Sequence, residues 1–310
     1  MRLEVVLTEA EIAQEFTEAI EARDLPEKFF YWSARSANAW RALSGEERLY
    51  GGLTGTWAAL AANASLLARG FDSQIPVISF GAGDGARDRL LMEAFKECGC
   101  ECLYFPVDAS QAMLELACAG ADDDDFETTG IKADISSPVH LVYAADAAEP
   151  PRLFIMSGNT LGAFDPLAEI RYVAQCLKSG DLLIVDGEIY DEQQSMARRE
   201  HPVVYSFLNA LLRGVGIEKA DGEIRFEPKI DERRPQLYQI LRTFRADRDL
   251  TASVNGDPVA VERGERIGLN FTYAYSPESF RRLLREQGGF QIEREYRSAD
   301  GRFLTAVCRK

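Results

Sequence analysis

The chain has 310 residues, 46% of them hydrophobic, and a formal net charge of −15. That is enough chain for a sizeable core and one or two domains. It holds no run of 18 uncharged apolar residues, which excludes a membrane-spanning helix, and its acidic balance argues against nucleic acid, whose phosphates need a basic surface. The N-terminal stretch carries acids where a secretory leader would be apolar, so a cytoplasmic location is expected. Six cysteines are present, and Cys98, Cys100 and Cys102 alternate as they would on one face of a strand. Histidines are scarce (His140 and His201), so buried reduced thiols are expected, with no metal site and no disulfides.

Residues 1 to about 70 read as a mostly helical arm. Thr8 predicts a helix start with Glu11 as its reciprocal capping partner, and Leu25-Pro26 ends that segment. Phe29, Phe30, Tyr31 and Trp32 form an aromatic cluster that either anchors the arm or walls a ligand site. Gly51-Gly52-Leu53-Thr54-Gly55 is expected to interrupt the arm before a helix from Trp57 to Ala68, closed by Gly70.

From residue 75 strands and helices alternate. Strands are expected at Val77–Phe80, Leu103–Val107, Ile131–Ile135 (with Asp134 inside it), Arg152–Met156 and Leu182–Val185. Helices are expected from Arg87 to Glu97, from Gln111 to Ala119 with Ser110 as cap, and from Asp165-Pro166 to Leu177. The acid run Asp122–Asp125 reads as a solvated loop. This alternation implies a doubly wound parallel sheet. After residue 200 the pattern changes: a helix over Val204–Arg213, then strands at Glu223–Glu227, Gln236–Ala246 and Thr251–Val254, with Asn255-Gly256 as a hairpin turn. A helix from Ser276 to Glu286 stops at Gly288-Gly289, and a hairpin of Gln291–Tyr296 and Arg302–Cys308 turns at Asp300-Gly301.

The stretch from Pro76 to Ala94, PVISFGAGDGARDRLLMEA, is strand, glycine turn, helix. Glycines let the backbone turn tightly and approach a nucleotide-like ligand. The spacing Gly81-x-Gly83-x-Gly85 is tighter than the dinucleotide G-x-G-x-x-G. Asp108, at the end of the second strand, stands where such folds hold ribose hydroxyls. A turn for the amino-acid end of S-adenosylmethionine, an acid for its ribose and an acid near its adenine amine follow in order as Gly81–Gly85, Asp108 and Asp134.

The segments SFGAGDGARDRLL (79–91), YFPVDAS (104–110), FIMSGNTLGAFDP (154–166), LLIVDGEIYDE (182–192), VVYSFLNALL (203–212) and YSPESFRRLLREQGGF (275–290) resemble, in order, the histidine-specific, S-adenosylmethionine-dependent methyltransferase family. The resemblance implies a class I methyltransferase fold: a Rossmann-like α/β doubly wound sheet with a terminal antiparallel hairpin, plus a smaller α+β substrate domain. It divides the chain into residues 71–200 with 288–310 for the methyltransferase domain, 201–287 for an inserted substrate-binding domain, and 1–70 for an arm contributing to the latter.

It implies cofactor contacts at Gly81, Gly83, Asp108, Asp134 with Ile135, Ser157 and Gly158; Arg87 stands where the family has lysine and either serves the cofactor's carboxylate or covers the surface. Ser110, in the same motif as Asp108, is counted with them. On the substrate side it points to Asn159, Thr160, Tyr205, Asn209, Asn270 and Tyr273. The family loop T-I-G-N, whose asparagine holds the amino group of histidine, reads Thr160-Leu161-Gly162-Ala163 here. The acid and serine that grip the imidazole are replaced within Gly268–Tyr273. A site that hydrogen-bonds its substrate discriminates through those groups. The expected reaction is therefore methyl transfer to an amine of a small amino-acid-like metabolite other than histidine, releasing S-adenosylhomocysteine. Two further classes remain open at this stage. One is an oxygen or carbon methyltransferase of a small natural product, which fits the aromatic arm. The other is a protein that binds S-adenosylmethionine without turnover. A NAD-dependent oxidoreductase fits the glycine spacing and the terminal hairpin poorly.

Overall fold

The computed structural model describes residues 2–231, 237–254 and 256–310. Among these, the strands are β1 (Arg2–Val5), β2 (Gln74–Phe80), β3 (Glu101–Asp108), β4 (Glu127–Lys132), β5 (Leu153–Met156), β6 (Leu182–Glu188), β7 (Gly222–Ile230), β8 (Leu237–Ala246), β9 (Leu250–Val254), β10 (Asp257–Val261), β11 (Arg266–Tyr275), β12 (Gln291–Arg297) and β13 (Phe303–Arg309). Eight of them form one sheet in the order β1-β4-β3-β2-β5-β6-β13-β12. Its members are parallel from β1 to β6, and β13 and β12 close it as an antiparallel hairpin. This is the class I methyltransferase form of the α/β sheet, and strand order reverses between β2 and β5, where such sheets open a ligand crevice.

Alternation along β2 explains why the sheet forms. Ile78 and Phe80 enter one core, Ile75 and Val77 the other, as a period of two requires in a strand covered on both faces. At the foot of β5, Arg152 is fully buried and paired with Asp181 at 2.6 Å. The expected strand at Arg152–Met156 thus begins one residue later, with Arg152 serving as a clamp between β5 and β6.

Several expectations shift. Gly51-Gly52 does not interrupt the arm: one helix runs through it, Glu47–Ala61, followed by a short one at Ala64–Ala68. Its buried face of Leu49, Leu53, Trp57 and Leu60 outweighs the low helix propensity of glycine. A side chain at Gly52 would collide with the Asp300 carboxylate, so the glycine lets the terminal hairpin approach the helix. The third inner strand is Glu127–Lys132, not Ile131–Ile135, and Asp134 lies in the loop beyond it. Pairing with β1, which the sequence did not announce, sets that register. Helices at Pro138–Ala145 and Glu192–Arg199 were likewise unforeseen. Gln236 and Asn255, expected at a strand start and a hairpin turn, lie outside the described residues.

A third apolar cluster joins the arm (Leu7, Ile12, Phe16, Ile20, Leu25, Phe29, Phe30) to Phe207, Leu208, Leu212, Ile224, Phe244 and Leu269 of the later segment. The three-stranded sheet β11-β8-β7 and the pair β10-β9 belong to this second unit. Leu53, Trp57, Leu60 and Leu67 of the arm pack on the main sheet instead.

Candidate functional site

A cavity of about 800 Å³ opens at the C-terminal ends of the parallel strands, between the main sheet and the second unit. That is toward the upper end of the roughly 300–1,000 Å³ typical of small-molecule sites. Among the described residues no helix is long and apolar enough to cross a membrane, and no cluster of His, Cys, Asp and Glu could hold a metal ion.

At one end of the cavity β2 runs into the glycine turn. Gly81, Gly83 and Gly85 all have positive φ (71°, 59° and 68°), a backbone that side chains other than glycine rarely adopt. The turn is tied to β3 because Gly81 and Ala82 donate their N–H groups to the Val107 carbonyl. Asp108 ends β3 and accepts from the Gly83 and Ser110 N–H groups at 3.0 and 2.9 Å. Burial pushes its carboxyl up to about 6 despite those two donors.

Beyond β4, Asp134 accepts from Ser136 (backbone N–H 2.9 Å, Oγ 2.6 Å) and pairs with Lys28 of the arm at 2.6 Å. Burial raises this carboxyl, but Lys28 and Ser136 outweigh burial and hold it below the usual aspartate range. Beyond β5, Gly158 (φ 83°) and Asn159 (φ 61°) turn sharply and donate their N–H groups to Asp186 of β6. These two anchors fix the loop Ser157–Ala163 against the strand ends.

The other end is built by side chains from distant elements. Tyr31 and Asn270 donate to the two oxygens of the Glu27 carboxylate, and Arg242 stands 3.7 Å from it. Arg242 also donates to the Phe271 carbonyl and to Thr272 Oγ1. Burial and Glu27 push the Tyr31 phenol well above its ordinary value, so it stays a donor. Tyr31, Trp40 and Tyr50 form an aromatic wall with ring centroids 5.3 and 5.9 Å apart. Near Tyr50, Glu188 takes a two-pronged pair with Arg199 at 2.7 and 2.9 Å. Burial alone would raise Glu188, but Arg198 and Arg199 together bring it to about 2. Arg198 Nη1 lies 3.2 Å from Glu188 without an aligned hydrogen bond, and the guanidinium stacks 5.0 Å from the Tyr50 ring.

The structure brings Gly81, Gly83, Arg87, Asp108, Asp134, Ile135, Ser157, Gly158, Asn159, Thr160 and Asn270 to this one cavity. It leaves Ser110, Tyr205, Asn209 and Tyr273 out of the lining. Ser110 caps the helix Gln111–Asp123 and donates its hydroxyl to the Tyr31 carbonyl. On the helix Pro202–Gly214, Val204 and Phe207 face the cavity three residues apart. Tyr205 sits off that face against Phe226, and Asn209 donates back to the Tyr205 carbonyl. Tyr273 is buried in the core, while Asn270, Phe271 and Thr272 line the cavity beside a bulge that breaks the pairing between Gly268 and Phe271. Asn159 lines the cavity but spends its amide on the Tyr273 carbonyl and the Glu188 N–H. The aromatic cluster divides: Phe29 and Phe30 are the anchor, Tyr31 the wall.

Sequence reasoning missed Glu27, Lys28, Trp40, Tyr50, Glu188, Arg198, Arg199 and Arg242. Acid and base in Glu27-Lys28 beside the aromatic run were the one available signal; Arg242 offered none.

The residues present suit an adenosyl cofactor. Gly83 and Gly158 hold positive φ (59° and 83°), and a Cβ there would stand in ordinary contact, 3.6 Å from Trp40 Nε1 and 3.8 Å from Arg87 Nη1, so the backbone at both points is bare toward the cavity they line. The family model described as histidine-specific methyltransferase, SAM-dependent, matches residues 8–310. No curated protein matches the chain. Among solved structures, the magnesium protoporphyrin IX methyltransferase of Synechocystis PCC 6803 is similar over 90% of this chain and 96% of its own, at 12% identity and a TM-score of 0.48. An S-adenosylmethionine-dependent methyltransferase of Clostridium acetobutylicum covers 82% and 91%, at 14% identity and a TM-score of 0.43. DesVI of Streptomyces venezuelae covers 84% and 94%, at 14% and 0.41.

Proposed function

The chain belongs to the histidine-specific, S-adenosylmethionine-dependent methyltransferase family, and from that premise we propose that it methylates the amine of a small amino-acid-like metabolite other than histidine. The observation that carries this reading is the shared cavity: the glycine turn with Asp108 at one end, the Glu27 carboxylate with its donors Tyr31 and Asn270 at the other. When bound, S-adenosylmethionine supplies an electrophilic methyl group on its sulfonium. In our reading Asp108 takes the ribose hydroxyls, Asp134 and Ile135 the adenine, Arg87 the carboxylate, and the Gly81–Gly83 and Ser157-Gly158 backbones the amino-acid end.

The acceptor's amine N–H groups would point at Glu27, leaving the nitrogen lone pair free to attack. Tyr31 is a poor base because it holds its proton. The amine proton lost before attack goes to solvent. Arg198, with Nη1 lacking a hydrogen-bond partner, suits an acceptor carboxylate. Walls of Tyr31, Trp40 and Phe207 exclude water, so positioning does most of the work. Ala163 and the tie of Asn270 to Glu27 support an acceptor other than histidine. We further propose that the second unit, with the first part of the arm, is the acceptor-binding domain, since they share one apolar cluster.

The test is methyl transfer from labelled S-adenosylmethionine to a panel of amino acids and related amines, histidine included, with the product's methylation site read by mass spectrometry. An N-methylated product with histidine a poor acceptor is the expected result. Histidine as best acceptor, an O- or C-methylated product, or cofactor binding without any product would each overturn it.

A further inference from the structure

Glu169 stands in the first turn of the helix Pro166–Cys176, lines the cavity and is 3% exposed. Its Oε1 is buried and has no hydrogen-bond partner. The helix start does not need it, because Asp165 already accepts from the Leu167 and Ala168 N–H groups. A buried carboxyl oxygen without a partner is unfavourable in the ligand-free protein, so its position calls for a group that arrives with a ligand. Its helix packs against the helix Pro138–Ala145 that follows Ser136, and Asp134 and Ser136 line the same cavity, so Glu169 stands on the Asp134–Ser136 side of it. We propose that Glu169 binds the purine edge of S-adenosylmethionine through this free oxygen, as a second carboxyl beside Asp134. The inference rests on the cofactor site proposed above.

The two carboxyls differ in a way that suits two tasks. Lys28 and Ser136 occupy both oxygens of Asp134, which stays an acceptor. Burial, and then the charge of Asp134, push Glu169 up to about 8. At neutral pH Glu169 keeps its proton and offers one O–H donor and one acceptor side by side. The amino edge of adenine presents the complement, an N–H donor next to a ring-nitrogen acceptor.

Calorimetric titration with S-adenosylhomocysteine tests this on the whole protein, its E169L and E169Q variants, and with the analogue lacking the 6-amino group. E169L is expected to weaken binding about tenfold or more, while E169Q, which keeps a donor and an acceptor, stays within about threefold. The unmodified protein is expected to prefer the amino-bearing ligand, and that preference shrinks in E169L, as coupling between two contacting groups requires. Ligand-free E169L is expected to melt no lower than the unmodified protein, whereas a merely structural role predicts a lower melting temperature. Undiminished binding by E169L, or equal affinity of the unmodified protein for both ligands, overturns the proposal. Should E169L fail to fold, equal affinity of the unmodified protein for both ligands, or a loss well beyond threefold in E169Q, still overturns the proposal. Failure of the unmodified protein to bind S-adenosylhomocysteine at all would overturn the cofactor reading, and this proposal with it.

Discussion

The two ends of the cavity are held in place by different means. At the glycine turn the lining is backbone: short loops leave the ends of β2, β3 and β5, and their N–H groups point at Asp108 and Asp186. At the other end it is side chain against side chain, with Glu27, Tyr31, Arg242, Asn270 and Thr272 arriving from the arm, β8 and β11 to hold one another. Backbone geometry at strand ends is fixed by the sheet and is hard to vary. A side-chain network can be exchanged without disturbing the sheet, but removing one member leaves the others unsatisfied. The first arrangement is rigid, and the second can be rebuilt without moving the sheet.

The largest expected effect tests that separation directly. Asp108→Ala removes the acceptor of two charge-assisted hydrogen bonds, at about 1.5–3 kcal/mol each. Affinity for S-adenosylhomocysteine should fall on the order of 100-fold by calorimetry; a loss under about tenfold would break the assignment of this end to the ribose. Next in size, Glu27→Ala should raise the KM of the acceptor roughly tenfold, one hydrogen bond to a charged group. S-adenosylhomocysteine affinity should stay within about twofold. Equal losses in both measurements would mean that the ends are not separate.

Acidity sharpens the contrast further. Asp108 titrates at about 6 and Glu188 at about 2. Lowering the pH from 7 to 5 should therefore weaken S-adenosylhomocysteine by up to about tenfold as Asp108 takes a proton. Glu188 stays ionised and its Arg199 pair intact over the same range. A flat cofactor profile would show that Asp108 does not act as a carboxylate.

The smallest effect is on the ligand-free protein. The folded-state value of Glu169, about 8, lies above the ordinary 4.5. The folded chain thus binds the extra proton between those values, and stability falls as pH rises through that window. Burial sets this first and the charge of Asp134 second; Lys28 faces that Asp134 carboxylate, and Cys176 lies on the same helix as Glu169. E169L removes the penalty and should raise Tm at pH 8 by roughly 2–4 °C. The gain should shrink toward pH 5, and a constant gain would show that packing alone is responsible.

Legibility in the sequence follows the same division. Gly81, Gly83 and Asp108 were readable because each lies next to a strand whose apolar run announces it, whereas Ser157 and Gly158 followed only from the family resemblance. Ser110 was read correctly as a helix cap, yet its side chain reaches the Tyr31 carbonyl rather than the cavity. Tyr205 and Tyr273 were misplaced because a face on a helix or strand is fixed by packing that a linear reading does not see. Gly52 looked like a breaker, but its missing side chain makes room for Asp300, almost 250 residues away.

By itself the sequence determined the doubly wound sheet, the closing hairpin and the glycine turn with the acid at the end of the next strand. Those depend on local periodicity, glycine turns and strand-end acids, all of which act within a few residues of chain. The tertiary structure alone decided that β1 pairs with β4, that Lys28 meets Asp134, that Glu27 meets Arg242 and Asn270, and that Glu169 is buried with a free oxygen. Each of these depends on burial and on charges brought together across the fold, and neither quantity exists until the chain has packed.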